Sequence, residues 1–309
     1  MPSKASSLRK LLPASFTDYR KTLPQYLIPK RLLSQLMHAL TRVRWRAWKT
    51  WQIDWFIRRY KVDMTLAKNP DPHSYVNFNS FFTRELRSGA RIIAGSAGEI
   101  ACPVDGSVSQ VGAIDDTRIF QAKGHYYHLE QLLGGSAARA QVFKDGQFAS
   151  LYLAPKDYHR IHMPCSGRLR EMIYVPGHFF GVNASTACVV PGLFARNERV
   201  ICIFDTDAGP MALILVGALF VASMETVWAG VVTSNSRNTI TVWDYHDTAT
   251  PVVLEHGAEM GRFNMGSTVI VLFAQGSMQW DAAIKPAAKI QMGQVLGRVN
   301  MSNVAGHKI

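Results

Sequence analysis

The sequence of 309 residues contains few cysteines, and their spacing excludes several classes of protein. Its four cysteines, Cys102, Cys165, Cys188 and Cys202, form no C-x-x-C pair and lie in apolar or loop contexts. A disulfide-stapled secreted domain or a zinc ribbon needs cysteines at closer and more regular spacings. We therefore expect neither class.

Long apolar segments are also missing. Pro13, Asp18 and Arg20 interrupt the N-terminal stretch, so we expect no secretory signal there. The longest apolar run, residues 211–224, is too short to cross a bilayer and contains Gly217, so it favours a buried strand. We expect a protein of the cytosolic compartment that contacts a membrane only from its surface.

Acidic residues are scarce in the first sixty positions, where thirteen Lys or Arg stand against Asp18 and Asp54. This segment carries a net charge of +11, whereas the whole chain carries +12. Because no zinc-finger, RRM or helix-turn-helix pattern accompanies the basic residues, we do not expect a nucleic acid as partner. The charge favours an anionic membrane surface instead.

A basic amphipathic helix is predicted from Pro29 onward, because apolar residues recur there at three- and four-residue steps. The repeating positions are Leu33, Leu36, Met37, Leu40 and Val43, continued by Trp48, Trp51 and Trp55. Such a helix suits a lipid interface, where indole rings lie at headgroup depth. The alternative is a helix that packs its apolar stripe on the protein body, with its charges in solvent.

A β-rich body is predicted from about residue 100. Short apolar or β-branched runs alternate there with Gly, Pro, Asn and Asp, as in 107–111, 148–153, 200–204, 212–216, 239–243 and 268–273. With 48% hydrophobic residues, the chain can bury a substantial core. The sequence therefore predicts an α+β fold, with an N-terminal amphipathic helical segment followed by an antiparallel β-rich catalytic body.

We expect a domain division between a basic helical membrane-association segment, residues 1–70, and a catalytic domain, residues 71–309. Residues 1–25 are expected to be loosely ordered because they are polar and contain three prolines. A short helix is expected from Asn79 to Leu86, and another around Leu129–Leu133.

Two stretches of the predicted body contain acid and histidine side chains. Asp105 lies in Pro103-Val104-Asp105-Gly106, where an acid is by itself most often a turn residue. His159 and His162 point to opposite faces if their segment is extended, but a turn can bring both to one pocket. Their spacing is not a zinc-ligand pattern, so we predict no metal, and two hydrogen-bonded loop histidines are the plain alternative.

A third stretch, Met265-Gly266-Ser267-Thr268, precedes an apolar strand. A Gly-Ser step usually marks a turn, but its chemistry is suggestive. The Ser267 hydroxyl can attack the carbonyl of Gly266, and glycine tolerates the strained backbone that this attack needs. The resulting ester can eliminate across the serine Cα–Cβ bond, and hydrolysis of the dehydroalanine then leaves a ketone at a new N-terminus.

A series of ordered motifs connects these stretches to a known family. The motifs are Tyr60-Lys61-Val62-Asp63-Met64, Phe81-Phe82-Thr83-Arg84, Asp105-Gly106, residues 121–125, 157–165, 193–199 and 225–230, and Gly261-Arg262-Phe263 leading to Gly266-Ser267-Thr268. Together they make the sequence similar to bacterial phosphatidylserine decarboxylases. One departure is Met265, where the family usually has Leu, a residue of nearly equal volume.

The resemblance implies a self-generated cofactor and a set of catalytic residues. It implies cleavage between Gly266 and Ser267 into chains 1–266 and 267–309, with Ser267 becoming a pyruvoyl group. The self-cleavage triad maps onto Asp105, His162 and Ser267, with His162 as the base and Asp105 orienting it. His159 is expected to deliver a proton to the substrate or to steer its carboxylate.

The resemblance also implies the reaction and its partners. The pyruvoyl ketone would form a Schiff base with phosphatidylserine, and loss of CO₂ would give phosphatidylethanolamine. The two chains would form a heterodimer, which can pair again as a homodimer, bound peripherally to the cytoplasmic side of the cell membrane. The alternatives are a pyruvoyl decarboxylase of another amino lipid and an uncleaved lipid-binding module of the same fold.

Overall fold

The computed structural model describes residues 14–219, 223–232, 239–265 and 267–300. This part of the chain begins with four helices. They are α1 (Phe16–Thr22), α2 (Pro24–Leu27), α3 (Lys30–Thr41) and α4 (Arg46–Tyr60). Ser15 and Asp18 form a reciprocal capping box at the start of α1. Gln25 anchors this region to the body, since its amide donates to Thr186 Oγ1 at 3.2 Å and accepts from Gly181 N–H at 2.8 Å. The expectation of loose order is therefore wrong for α1, while residues 1–13 lie outside the described part.

The predicted amphipathic helix is two helices, because the chain turns between Thr41 and Arg46. The Thr41 hydroxyl donates back to the Met37 carbonyl at 2.7 Å, a bond that competes with helix continuation. The indole N–H of Trp48 donates to the Leu40 carbonyl at 3.2 Å and fixes the corner. None of the helices in the described residues is long and apolar enough to span a bilayer.

Shorter helices and strands complete the chain. The helices are α5 (Phe78–Phe82), α6 (Leu129–Leu132), α7 (Ala137–Val142), α8 (Ala184–Val189) and α9 (Leu193–Arg196), with a 3-10 turn at Pro72–Ser74. The helix expected from Asn79 to Leu86 ends at Phe82, and Leu86 instead forms a β-bridge with Ala67.

The largest sheet is antiparallel throughout. Its strand order is β12 (Thr241–Asp244), β7 (Gly167–Val175), β8 (Arg199–Thr206), β9 (Gly209–Val216), β15 (Ser267–Phe273), β5 (Gln147–Leu153), β2 (Gly106–Ala113) and β17 (Lys289–Ile290), with β13 (Val253–Leu254) beside β7. Two apolar clusters cover its faces, and residues 269–273 of β15 are fully buried between β9 and β5. The predicted β-rich body is confirmed, as is the α+β class.

Three smaller sheets surround the large one. One has the order β11 (Gly230–Val232), β10 (Met224–Thr226), β14 (Glu259–Phe263) and β6 (Arg160–His162). The others are β1 (Glu99–Ala101) with β18 (Val295–Val299) and β16 (Met278–Trp280), and the hairpin β3 (Arg118–Ala122) with β4 (His125–His128). The sheet of β6 and β14 matters most for function, because β14 leads directly into residues 264–267.

Candidate active site

Three adjacent strands of the large sheet, β2, β5 and β15, place Asp105 and Ser267 at the same end of the sheet. Strand β5 pairs with β2 on one side and β15 on the other, so Tyr152 lies opposite both Ser107 and Thr268. Asp105 and Ser267 therefore flank the end of β5, about 10 Å apart across two strand spacings. Gly106 permits this close packing, because a Cβ there would lie 2.2 Å from the Tyr152 carbonyl oxygen.

Asp105 is nearly buried and is held by three donors from two residues. Its carboxylate forms a two-pronged ion pair with Arg91, whose Nε donates at 3.1 Å, and it also accepts from the Met292 N–H at 2.8 Å. A buried carboxylate with this many donors has a fixed orientation. No local pattern in the sequence indicates Arg91 as the partner, because it stands fourteen positions before the acid.

His162, on β6, is held by Tyr158 and by a backbone carbonyl. Its Nδ1 lies 2.8 Å from the Gly257 carbonyl oxygen, and its Nε2 lies 3.0 Å from the Tyr158 hydroxyl. A carbonyl can only accept, so Nδ1 carries the proton and Nε2 accepts from the tyrosine. Burial lowers the pKa of His162, and this effect is opposed by the bond to Gly257, by the charge of Glu259 and, more weakly, by the charge of Asp105. The ring is thus a neutral base at neutral pH.

The expected contact between Asp105 and His162 is not among the hydrogen bonds of these two residues. The Gly257 carbonyl, and not the carboxylate of Asp105, lies against Nδ1 of His162. The two segments do meet through the backbone, where the His162 N–H donates to the Pro103 carbonyl at 2.9 Å. The assignment of Asp105, His162 and Ser267 as a triad stays a prediction.

His159 is fully buried one residue before β6. Its Nδ1 lies 2.8 Å from the Asp157 carbonyl oxygen, and its ring packs on Phe82 with 4.1 Å between ring centroids. Its Nε2 is buried and has no partner in the described part of the chain. Burial lowers the pKa of His159 to about 3, so the ring is neutral and its free nitrogen is an acceptor.

The backbone is strained directly before the predicted cleavage site. Met265 has a φ of 107°, a value that costs a non-glycine residue about 1–3 kcal/mol. Its side chain packs against the cluster that contains Phe82, the ring partner of His159. Gly266 lies outside the described residues, whereas the backbone of Ser267 begins β15.

The described residues thus bring the two histidines to one region of the molecule. The Phe263 N–H donates to the His159 carbonyl at 3.1 Å, so β14 carries the chain past His159 immediately before the Gly-Ser step. This arrangement offers a neutral base, a buried acceptor and a strained peptide segment within a mainly apolar environment. Such a site suits proton transfer in a reaction from which water is excluded.

Comparison with known proteins gives consistent matches over most of the chain. The family model "Phosphatidylserine decarboxylase" matches residues 78–298, and a model described as "PSD" matches residues 20–61. A protein of Albidiferax ferrireducens named "Phosphatidylserine decarboxylase proenzyme" is 52% identical over 91% of this chain and 98% of its own length. Proteins with the same name from Pseudomonas fluorescens and Bordetella petrii are 53% and 52% identical, over 88% and 91% of this chain and 95% and 98% of their own.

Proposed function

The chain belongs to the phosphatidylserine decarboxylase family, and we propose that it acts through a pyruvoyl group made from its own Ser267. It is an enzyme that converts phosphatidylserine to phosphatidylethanolamine and CO₂. The relatives are named proenzymes, which agrees with a precursor that is processed. The observation that carries the proposal is the strained Met265, which stands directly before Gly266-Ser267 and packs against the cluster whose Phe82 contacts the buried His159.

Backbone strain supports cleavage at Gly266-Ser267. Strain stored in the precursor is released when the chain is cut, so it favours attack of the Ser267 hydroxyl on the preceding carbonyl. His162 takes the serine proton in this proposal, because its ring is neutral and its Nε2 carries a lone pair. Asp105 acts on this ring through its charge, which favours the cation formed when the proton is taken.

The residues around His159 fit a pyruvoyl group. The unpartnered Nε2 of His159 is an acceptor that needs a hydrogen-bond donor, and the amino group of a substrate held at the new N-terminus would supply one. When present, the group supplies an electron-withdrawing carbonyl that accepts the electrons released with CO₂. The free nitrogen of His159 can take a proton from the substrate's ammonium group and return it to the substrate carbon, while Phe82 and its neighbours exclude water.

The N-terminal helices support attachment to a membrane. Large apolar side chains stand in solvent there, among them Leu27 at 89% exposure, Phe16 at 79% and Trp45 at 71%. Basic residues share the same segment, so it can meet anionic lipid with both apolar and charged groups. We propose peripheral binding to the cytoplasmic side of the cell membrane, where anionic lipids concentrate. A homodimer of the cleaved unit stays a prediction.

The mass of the small chain tests the cofactor directly. We expect the purified protein to contain a 43-residue chain that begins with pyruvate instead of Ser267. Ser267→Ala should leave one intact chain of 34.4 kDa without decarboxylase activity. Ser107→Ala, at the same end of the sheet, is the matched control and should process normally. An active Ser267→Ala protein would refute the proposed route.

A further inference from the structure

A cavity of about 430 Å³ lies between the N-terminal helices and the strands of the proposed site. Four arginines reach it from distant parts of the chain: Arg42 and Arg44 from the α3–α4 corner, Arg160 from β6 and Arg262 from β14. Arg160 and Arg262 are paired neighbours across the two strands. Convergence of this many guanidinium groups indicates an anionic ligand.

Two of the four charges are compensated within the protein. Arg160 pairs with Glu259 at 2.7 Å and with Glu85 at 3.3 Å, and Arg262 pairs with Glu225 at 2.6 Å. These carboxylates neutralise the strand arginines and hold them in place.

The other two arginines, Arg42 and Arg44, form no ion pair of this kind among the described residues. The Arg42 guanidinium makes a long bond, 3.4 Å, to the His38 carbonyl, and its partial burial lowers its pKa, an effect that the charge of Glu225 opposes without an ion-pair contact. Holding Arg42 partly away from water without a carboxylate in contact with it is unfavourable, and an anion in the cavity would relieve that cost.

An unpartnered acceptor narrows the class of ligand. Asn79 lines the cavity and donates its amide N–H to Asn264 Oδ1 at 3.0 Å, but its own Oδ1 is buried without a donor. The ligand should therefore present a hydrogen-bond donor as well as anionic oxygens. Inorganic phosphate and the headgroup of an aminophospholipid both have this chemistry.

The position of the cavity favours the lipid headgroup. Arg160 directly follows His159, and Asn264 lies between Arg262 and the Gly266-Ser267 step. In phosphatidylserine, one methylene joins the phosphodiester to the carbon that loses its carboxylate. A phosphate subsite for this substrate must therefore lie close to the reacting carbon, and the arginine cavity is lined from the same two strands, β6 and β14, that adjoin His159 and the Gly266-Ser267 step.

We propose that this cavity binds the phosphodiester of the substrate, with Arg42 and Arg44 as its specificity-determining cations. The inference rests on the proposed function and adds a subsite to it. The basic N-terminal segment then has a second task, because two of its charges face the headgroup of the single lipid being processed.

The test compares two double variants that lose equal charge. Arg42→Gln/Arg44→Gln removes the cavity cations, and Arg46→Gln/Arg58→Gln removes two exposed arginines of α4. Turnover is measured with dihexanoyl phosphatidylserine below its micelle concentration, so that membrane binding does not contribute. We expect the cavity variant to raise KM about tenfold or more with kcat within about twofold, since bonds to charged groups contribute about 1.5–3 kcal/mol. The control variant should match the wild type.

A substrate without phosphate, a phosphate inhibitor and a charge-conserving variant distinguish phosphate binding by Arg42 and Arg44 from a structural role. O-hexanoyl-L-serine keeps the amino and carboxyl groups but has no phosphate, so the cavity variant should process it as the wild type does. Inorganic phosphate should inhibit the wild type competitively and inhibit the cavity variant less. Arg42→Lys/Arg44→Lys should recover part of the lost affinity, because it keeps the charge without the bidentate geometry.

Each contrary outcome overturns the proposal in a different way. Equal losses on both substrates would make Arg42 and Arg44 structural, and equal losses in the control variant would indicate general electrostatics. Weaker phosphate inhibition with an unchanged KM for the lipid would assign the cavity to free phosphate. Failure of the proposed function would be seen separately, as a wild-type chain that stays uncut or inactive.

Discussion

Two histidines three positions apart occupy different environments, and the difference decides what each can do. Both ring nitrogens of His162 are hydrogen-bonded. Nδ1 donates to the Gly257 carbonyl and Nε2 accepts from the Tyr158 hydroxyl, so the tautomer is fixed. His159 has one partner, and its second nitrogen faces a space that the protein leaves without a donor. The first environment suits a base for processing, and the second suits contact with substrate.

The buried His159 should make stability depend on pH. Its folded pKa of about 3 lies below the ordinary value of 6.5, so only the unfolded chain takes up a proton as the pH falls below 6.5. This residue therefore removes about 2 kcal/mol of stability between pH 7.5 and pH 5. In an uncut Ser267→Ala background, His159→Gln should lose that part of the pH dependence in urea unfolding. Parallel pH profiles for the two proteins would contradict the assignment.

Tyr158 should control the proton affinity of His162. Its hydroxyl donates to Nε2 and so favours the neutral ring, and Tyr158→Phe removes that donor. We expect the pKa of His162 to move upward in the variant, measured by histidine NMR in the Ser267→Ala background. Tyr152→Phe removes another partly buried hydroxyl and serves as the control. An unchanged His162 pKa would show that the tyrosine is only a packing residue.

Helix α4 has two faces with different neighbours. Ile53 and Phe56 are buried in an aromatic cluster, where the Phe56 ring lies 5.1 Å from that of Phe78. Trp51 and Trp55 stand about half exposed on the other side. Packing on the body is therefore confirmed for one face of this helix, whereas contact of the exposed face with a lipid surface stays a prediction. The contact between Phe56 and Phe78 joins the segment expected to end at residue 70 to the domain expected to begin at residue 71. The domain division itself stays a prediction.

Paired substitutions separate the two faces. Phe56→Ala should reduce the free energy of unfolding by about 3–5 kcal/mol, because it opens a cavity in the cluster beneath His159. Trp51→Ala should change stability by less than about 0.5 kcal/mol but weaken binding to phosphatidylserine-containing vesicles. Urea unfolding and vesicle sedimentation measure the two effects. Normal vesicle binding by Trp51→Ala would argue against the lipid-facing role of this helix.

At the scale of the whole molecule, the expected cleavage falls at the start of a central strand. Strand β15 pairs along its length with β9 and β5, and residues 269–273 are inaccessible to solvent. A chain that begins at Ser267 would therefore keep two complete ladders of hydrogen bonds after it is cut. Cleavage can relieve strain at residue 265 without separating the products.

The processed protein should consequently remain one particle. We expect both chains to elute together in gel filtration at neutral pH and to separate only in denaturant. The Ser267→Ala precursor should elute at the same volume, which provides the reference for an undivided chain. A small chain that elutes alone from the native protein would show that the ladders around β15 do not hold it.

Local patterns in the sequence were sufficient for some of these features. The α+β class follows from short apolar or β-branched runs separated by turn residues, behind a basic segment with helical period, because these patterns act within a few residues. The motifs around Asp105, His159, His162 and Ser267 indicated the family, because that chemistry needs these side chains in this order. The same patterns did not indicate the break at Thr41, which depends on one back-bonded hydroxyl and one tryptophan.

The tertiary structure alone decided which groups meet. The sequence named an acid and two histidines, but packing placed Arg91 on Asp105 and Gly257 on His162, partners that no spacing rule connects. It also brought Arg42 to Arg262 at one cavity, from opposite ends of the chain. Residue type and order determine which chemistry a chain can carry. Burial and long-range hydrogen bonds determine pKa and orientation, and these exist only after the chain has folded.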